Sequence, residues 1–200
     1  MVRRYARTAL RKAVDGSPAG FRSVCLPQTL ATAARVELEQ SMDRASTLEM
    51  GHVFASAKRG LRRAARPPER FPACMRIMQE AERAFCLERD AADVQVMCRQ
   101  YAPSRSLQWH IDSTVLFDEP VLSVVLRCAP SDGMVLRRRG TTWHDHQNMY
   151  VDEQPGLAVC LEHQARYVYG HEVPPVSAPR LSLTWRWFKT GLVQQLRKRQ

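Results

Sequence analysis

A few side chains in the second half of this chain are spaced so that they could hold one cation and, beside it, an anion. In Leu107-Gln-Trp-His-Ile-Asp112 apolar and polar residues alternate. An extended strand puts every second side chain on one face, so Gln108, His110 and Asp112 are expected on one side and Leu107, Trp109 and Ile111 on the other, toward a core. His110 and Asp112 would then share a cavity and be close enough to hold one metal ion. Two imidazoles and one carboxylate on a single octahedral face suit Fe(II), because three positions stay open for a co-substrate and O2. The second imidazole has to come from a distant strand. His171 is the preferred candidate, since it follows Tyr167-Val-Tyr169 and shares a face with both tyrosines. His144 and His146 lie in a polar hairpin region, His163 stands beside Glu162 in a turn, and His52 falls in an irregular basic segment.

Nine residues after His171, Arg180-Leu-Ser-Leu-Thr-Trp-Arg186 alternates again. Arg180, Ser182, Thr184 and Arg186 are expected on one face, and Leu181, Leu183 and Trp185 on the other. A row of guanidinium groups turned inward is costly unless it meets an anion. An arginine fork binds a carboxylate bidentately, so a dicarboxylate such as 2-oxoglutarate is the natural guest.

These residues need strands to position them. From Asp93 onward the chain reads as short β-rich runs at 94–98, 107–112, 121–126, 134–137, 157–161, 166–169 and 181–185, separated by turn signals. Regular short strands without intervening helices predict an antiparallel sandwich or barrel. Upstream, Leu30, Ala34, Leu38 and Met42 recur every four residues and predict a helix from Pro27 to about Ala45, with Glu37 and Glu39 outward. A second helix runs from Pro72 to about Leu87, its packed side made of Met75, Ile77, Met78, Ala81, Ala84 and Phe85. Residues 46–71 lose periodicity and read as a surface connection with a basic run from Lys58 to Pro68. The expected organisation is a basic arm or transit segment at 1–23, a helical support region at 24–92, a core at 93–190 and a basic tail at 191–200.

The ordered set Tyr101-Ala-Pro, Trp109-His-Ile-Asp112, Pro155-Gly156, His171-Glu-Val-Pro174 and Arg180-Leu-Ser-Leu-Thr-Trp-Arg186 resembles the Fe(II)/2-oxoglutarate dioxygenases, and among them the AlkB-like group, over about residues 94–188. The resemblance implies an α+β, mainly β fold: a double-stranded β-helix, or jelly roll, with N-terminal helices packed on one sheet. It implies that His110, Asp112 and His171 hold the iron, and that Arg180 pairs with the distal carboxylate of 2-oxoglutarate with help from the Tyr101 hydroxyl. Arg186 matches the second arginine of the family motif, near the co-substrate's other end and the aspartate ligand. Ser182 replaces a more frequent asparagine there. Arg99 stands where the family often has an asparagine, and Thr114 replaces an acidic residue that contacts the target base in some members. The implied reaction consumes 2-oxoglutarate and O2, yields succinate and CO2, and hydroxylates a C–H bond; on an N-methyl group it releases formaldehyde.

The chain has 200 residues, enough for one well-buried core, and no apolar run approaches the ~20 residues of a membrane-spanning helix. Its 30 Lys+Arg against 20 Asp+Glu give a net charge of +10, which favours a polyanionic partner and makes an RNA or DNA base the first expected substrate. Arg137-Arg-Arg139, on an expected hairpin, could touch phosphates. The alternatives are a protein hydroxylase or demethylase of the same superfamily, and a non-catalytic binding module, which the complete residue set argues against. The six cysteines are widely spaced without a Cys-x-x-Cys pair, as in reduced thiols of an intracellular protein. The first 23 residues are basic, with Tyr5, Leu10 and Val14 at helical spacing, so cytoplasm or nucleus, mitochondrion and plastid all remain open. A monomer is expected.

Overall fold

Strict alternation along Arg180–Phe188 gives the strand on which the molecule is organised. Its Ser182, Thr184 and Arg186 line a cavity, and its odd positions, Leu181, Leu183, Trp185 and Trp187, are buried in the largest core cluster. The computed structural model describes residues 17–42, 46–56, 60–63, 66–88, 93–141 and 148–197. In chain order the elements are β1 (Phe21–Cys25), α1 (Gln28–Met42), β2 (Thr47–Ser56), β3 (Gly60–Arg63), α2 (Pro72–Ala84), β4 (Val94–Tyr101), β5 (Leu107–His110) and β6 (Phe117–Arg127). They continue as β7 (Gly133–Arg138), β8 (Met149–Asp152), β9 (Leu157–Leu161), α3 (His163–Tyr167), β10 (Tyr169–Val173), β11 (Arg180–Phe188) and α4 (Thr190–Arg197).

The strands form two antiparallel sheets. The larger has the order β1-β9-β6-β11-β4-β2-β3, and the smaller β5-β10-β7-β8. Together they make a jelly roll, mainly β, with the N-terminal helices packed on the outer face of the larger sheet. Ala31, Ala34, Leu38 and Met42 of α1 and Cys74, Ile77, Met78 and Ala81 of α2 are buried there against Val96, Cys98, Leu183 and Trp185. Trp185 is wholly buried, and burial of one such large side chain is worth about 1.5–3 kcal/mol. Glu37 does not point outward as expected. Its carboxylate accepts the backbone N–H groups of Ala73 (3.1 Å) and Cys74 (2.9 Å) and so caps the exposed donors at the start of α2.

The structure differs from the sequence reading at several places. Residues 46–71, read as a surface connection, contain β2 and β3. Leu48 and Met50 of β2 join the helix-side core, but Gly51, at φ +76°, breaks the alternation where the strand passes from pairing with β4 to pairing with β3. Phe21–Cys25, partly assigned to the basic arm, pairs with β9 through the full register Phe21↔Leu161 to Cys25↔Leu157. Residues 166–169 are not a strand, because α3 occupies His163–Tyr167 and β10 begins at Tyr169. The tail contains α4. The expected amphipathic spacing of Tyr5, Leu10 and Val14 lies outside the described residues, as do His144 and His146. No helix among the described residues is long and apolar enough to cross a membrane.

Candidate metal centre and anion pocket

β5 and β10 are neighbours in the smaller sheet, and their register sets His110 directly opposite His171. The two rings lie 4.3 Å apart, centroid to centroid, at an interplanar angle of 55°. Asp112 arrives differently from the expectation. β5 ends at His110, so Asp112 is on the turn beyond it rather than on the strand. The chain there brings its carboxylate to 3.8 Å from Nε2 of His171. One potential ligand atom from each of His110, Asp112 and His171 lies within 4.8 Å of the others.

The electrostatics of this group suit a cation. Oδ2 of Asp112 is buried, faces Nε2 of His171 at 3.8 Å and has no hydrogen-bond partner, which leaves an anionic acceptor free for a cation. Burial, reinforced by the charges of Arg166 and Arg99 and by the neighbouring imidazole, pushes His171 down to about 3, so it presents a neutral ring with a lone pair. His110 is also lowered, mainly by burial, with Arg99 and Arg186 adding to it. Nδ1 of His110 lies 2.9 Å from the Gln108 carbonyl; a proton on Nδ1 donates there and leaves Nε2 as the free ligand atom. The donor set and the unpartnered carboxylate oxygen therefore fit a hard divalent metal such as Fe(II).

Beside the triad is a cavity of about 330 Å³ whose lining includes Arg99, Tyr101, Ser182, Thr184 and Arg186 as well as the three metal-binding candidates. Its floor is two neighbouring strands, β4 and β11, in the register Tyr101↔Arg180, Arg99↔Ser182 and Met97↔Thr184. Arg186 forms an ion pair through Nη1 with Oδ1 of Asp112, and donates from Nε to Gln95 at 2.9 Å. Its guanidinium stands 4.3 Å over the ring of Phe117. Burial, and the like charge of Arg99 after it, lower Arg186 to about 10, so it remains a cation at neutral pH.

Of the seven residues expected in the site, the structure brings six to this cavity. Arg180 is adjacent but does not line it. Its Nε and Nη2 both donate to the carboxylate of Glu153 at 2.9 Å, its Nη1 donates to Ser182 Oγ at 3.1 Å, and its guanidinium lies over the Tyr101 ring. Glu153 escaped the sequence reading because it lies just after β8, a strand that its short Met149-Tyr-Val-Asp152 pattern did not reveal. Arg166 was also missed. It is 2% exposed and donates to the backbone carbonyl of Asp112 from within a segment expected to be a strand. Arg137 was expected to be available to a phosphate, yet it is committed to Glu172 at 3.0 Å and to the Thr141 carbonyl, and it stacks on Trp109. Trp109 is correspondingly half-buried under Arg137, outside the buried core clusters. Of the other histidines, His163 begins α3 near Glu119, and His52 is in β2.

No family model matches the chain, and no curated protein matches it. Among solved structures the chain is similar to a prolyl-4-hydroxylase from Pseudomonas putida, with a TM-score of 0.53 and 18% identity over 85% of this chain and 88% of that one. That likeness establishes the shared fold.

Proposed function

We propose that this protein is an Fe(II)- and 2-oxoglutarate-dependent oxygenase. The observation that carries the reading is the juxtaposition, in one cavity, of a His110–Asp112–His171 triad with an unpartnered buried carboxylate oxygen and an arginine-bearing strand floor. The likeness of fold to a prolyl-4-hydroxylase supports it. The metal would be held by His110, Asp112 and His171, and 2-oxoglutarate by the β4–β11 floor. Bound iron and O2 supply the oxidising chemistry, in which a substrate C–H bond becomes C–OH while 2-oxoglutarate is converted to succinate and CO2.

The chain's own residues orient and insulate that chemistry. The Gln108 carbonyl fixes the His110 ring, and the ion pair with Arg186 holds the Asp112 carboxylate in place beside the two imidazoles. Met97, Leu107, Ile111 and Phe117 give the cavity its apolar lining. Within this class we place the protein nearest the AlkB-like group, acting on an RNA or DNA base; the net charge of +10 supports a polyanionic substrate. The second reading, a peptide substrate, is favoured by the fold shared with a prolyl-4-hydroxylase.

The test is succinate formation from 2-oxoglutarate with Fe(II) and O2, followed by a panel of methylated oligonucleotides and proline-containing peptides. His110→Ala and Asp112→Ala are expected to abolish succinate formation. Full turnover in either variant would remove the metal assignment, and product from peptides alone would select the second reading.

A further inference from the structure

The lining of the cavity holds two arginines, Arg99 and Arg186, against one carboxylate, Asp112. Arg186 is matched by Asp112, and Arg180 by Glu153 through the edge of the guanidinium best suited to a bidentate carboxylate. Arg99 has no such partner. It is half-buried in the lining, and among the described residues the one hydrogen-bond acceptor within reach of its guanidinium is the thioether of Met97, at 3.4 Å. No described carboxylate lies within ion-pair distance of it. Its position is central, because it stands on β4 directly across from Ser182 on β11 and one inward-facing step from Tyr101.

A guanidinium already neutralised by a buried carboxylate attracts a second anion weakly, whereas an unmatched one in a partly enclosed cavity attracts it strongly. We propose that Arg99 is the main charge anchor for the dicarboxylate co-substrate, with Tyr101 and Ser182 as flanking hydroxyl donors. The Arg180–Glu153 pair then serves as a fixed prop under the cavity. This inference rests on the oxygenase reading and assigns the anchoring role to a residue that the family resemblance does not supply.

The experiment is anaerobic calorimetric titration of 2-oxoglutarate into Mn(II)-loaded protein, with no turnover required. Arg99→Gln is expected to weaken binding at least tenfold, and Arg99→Lys to lie between it and the parent protein. Mn(II) affinity, followed by electron paramagnetic resonance, is expected to stay within twofold in both variants, which separates loss of an anchor from general damage to the site. Binding by Arg99→Gln within twofold of the parent overturns the role of Arg99 while leaving the oxygenase reading in place. If the parent protein itself binds no 2-oxoglutarate, the reading beneath it falls, and the proposal with it.

Discussion

Arg166 of α3 donates from Nη1 to the backbone carbonyl of Asp112 at 2.8 Å. Its other terminal nitrogen reaches the carbonyls of Ser113 at 3.2 Å and Phe117 at 3.5 Å, so one buried guanidinium fastens the segment that carries the carboxylate of the triad. That segment needs fastening, because the β5 ladder stops at His110 and, among the described strands, pairs only with β10. Replacing Arg166 by Met keeps much of its apolar bulk and removes the three hydrogen bonds. Metal affinity is expected to fall about 10- to 100-fold, the usual cost of losing a group that orients a ligand. A Co(II) titration checks this, and unchanged affinity in a folded variant would show that Asp112 holds its place without the clamp.

The smaller sheet positions the imidazoles through an equally close contact. Gly170 lies so near Trp109 that a Cβ there would come within 2.3 Å of the indole ring. Trp109 is the residue before His110 and is tied to the Arg137 carbonyl at 3.1 Å, so its ring cannot move without disturbing β5. Gly170→Ala is therefore expected to cost about 1–3 kcal/mol, as overpacking does, and to weaken metal binding as His110 shifts. Thermal melts and the same Co(II) titration measure both effects. A variant that melts and binds like the parent would mean that the indole swings aside freely.

Glu153 and Arg180 are both almost completely buried, at 4% and 3% exposure. Removing one member of such a pair strands the other. Glu153→Gln is expected to destabilise the fold by about 3–5 kcal/mol, whereas the double variant Glu153→Gln with Arg180→Met should recover most of that loss because no uncompensated charge remains. Urea denaturation of the parent, both single variants and the double variant closes the cycle. Additive losses would show that the two side chains do not depend on each other.

The parts of this molecule that were legible in the sequence are those in which one period runs unbroken. The alternation of Arg180–Phe188 and the four-residue spacing in α1 each survive because one face meets a core and the other does not. β2 was hidden because Gly51 shifts the phase midway, so that Leu48 and Met50 cannot be put in register with Val53. α3 was hidden because its one turn spans Arg166-Tyr167, which on composition alone suits a strand. In the site, His110, Asp112 and His171 could be named from type and spacing, but that Asp112 lies off the strand depends on a turn held by Arg166 from 54 residues away. Arg180 could be named while its partner could not. A residue's own identity shows that it needs a counter-charge, but the contact with Glu153 is made by tertiary packing alone.

The cysteines extend the same reasoning to reactivity. Cys74, Cys98 and Cys160 are buried, and burial raises all three thiols, Cys160 to about 12. Cys128 is half-buried and raised to about 11 by burial and by the charge of Glu153. The thiolate is the nucleophile, and a thiol at about 12 is ionised to roughly one part in ten thousand at pH 8. Cys25 is half-buried, with its sulfur accepting the Gln154 side-chain amide. Cys86 alone is exposed. Ellman's reagent at pH 8 is therefore expected to report a single fast thiol in the folded protein, and Cys86→Ser to abolish that phase. Because Cys128 is raised to about 11 and Cys160 to about 12, raising the pH toward 11 should bring Cys128 into reaction before Cys160. A fast phase that persists in Cys86→Ser at pH 8 would mean that a second thiol, half-buried Cys25 or Cys128 or one of the core cysteines, reaches solvent on the timescale of the assay.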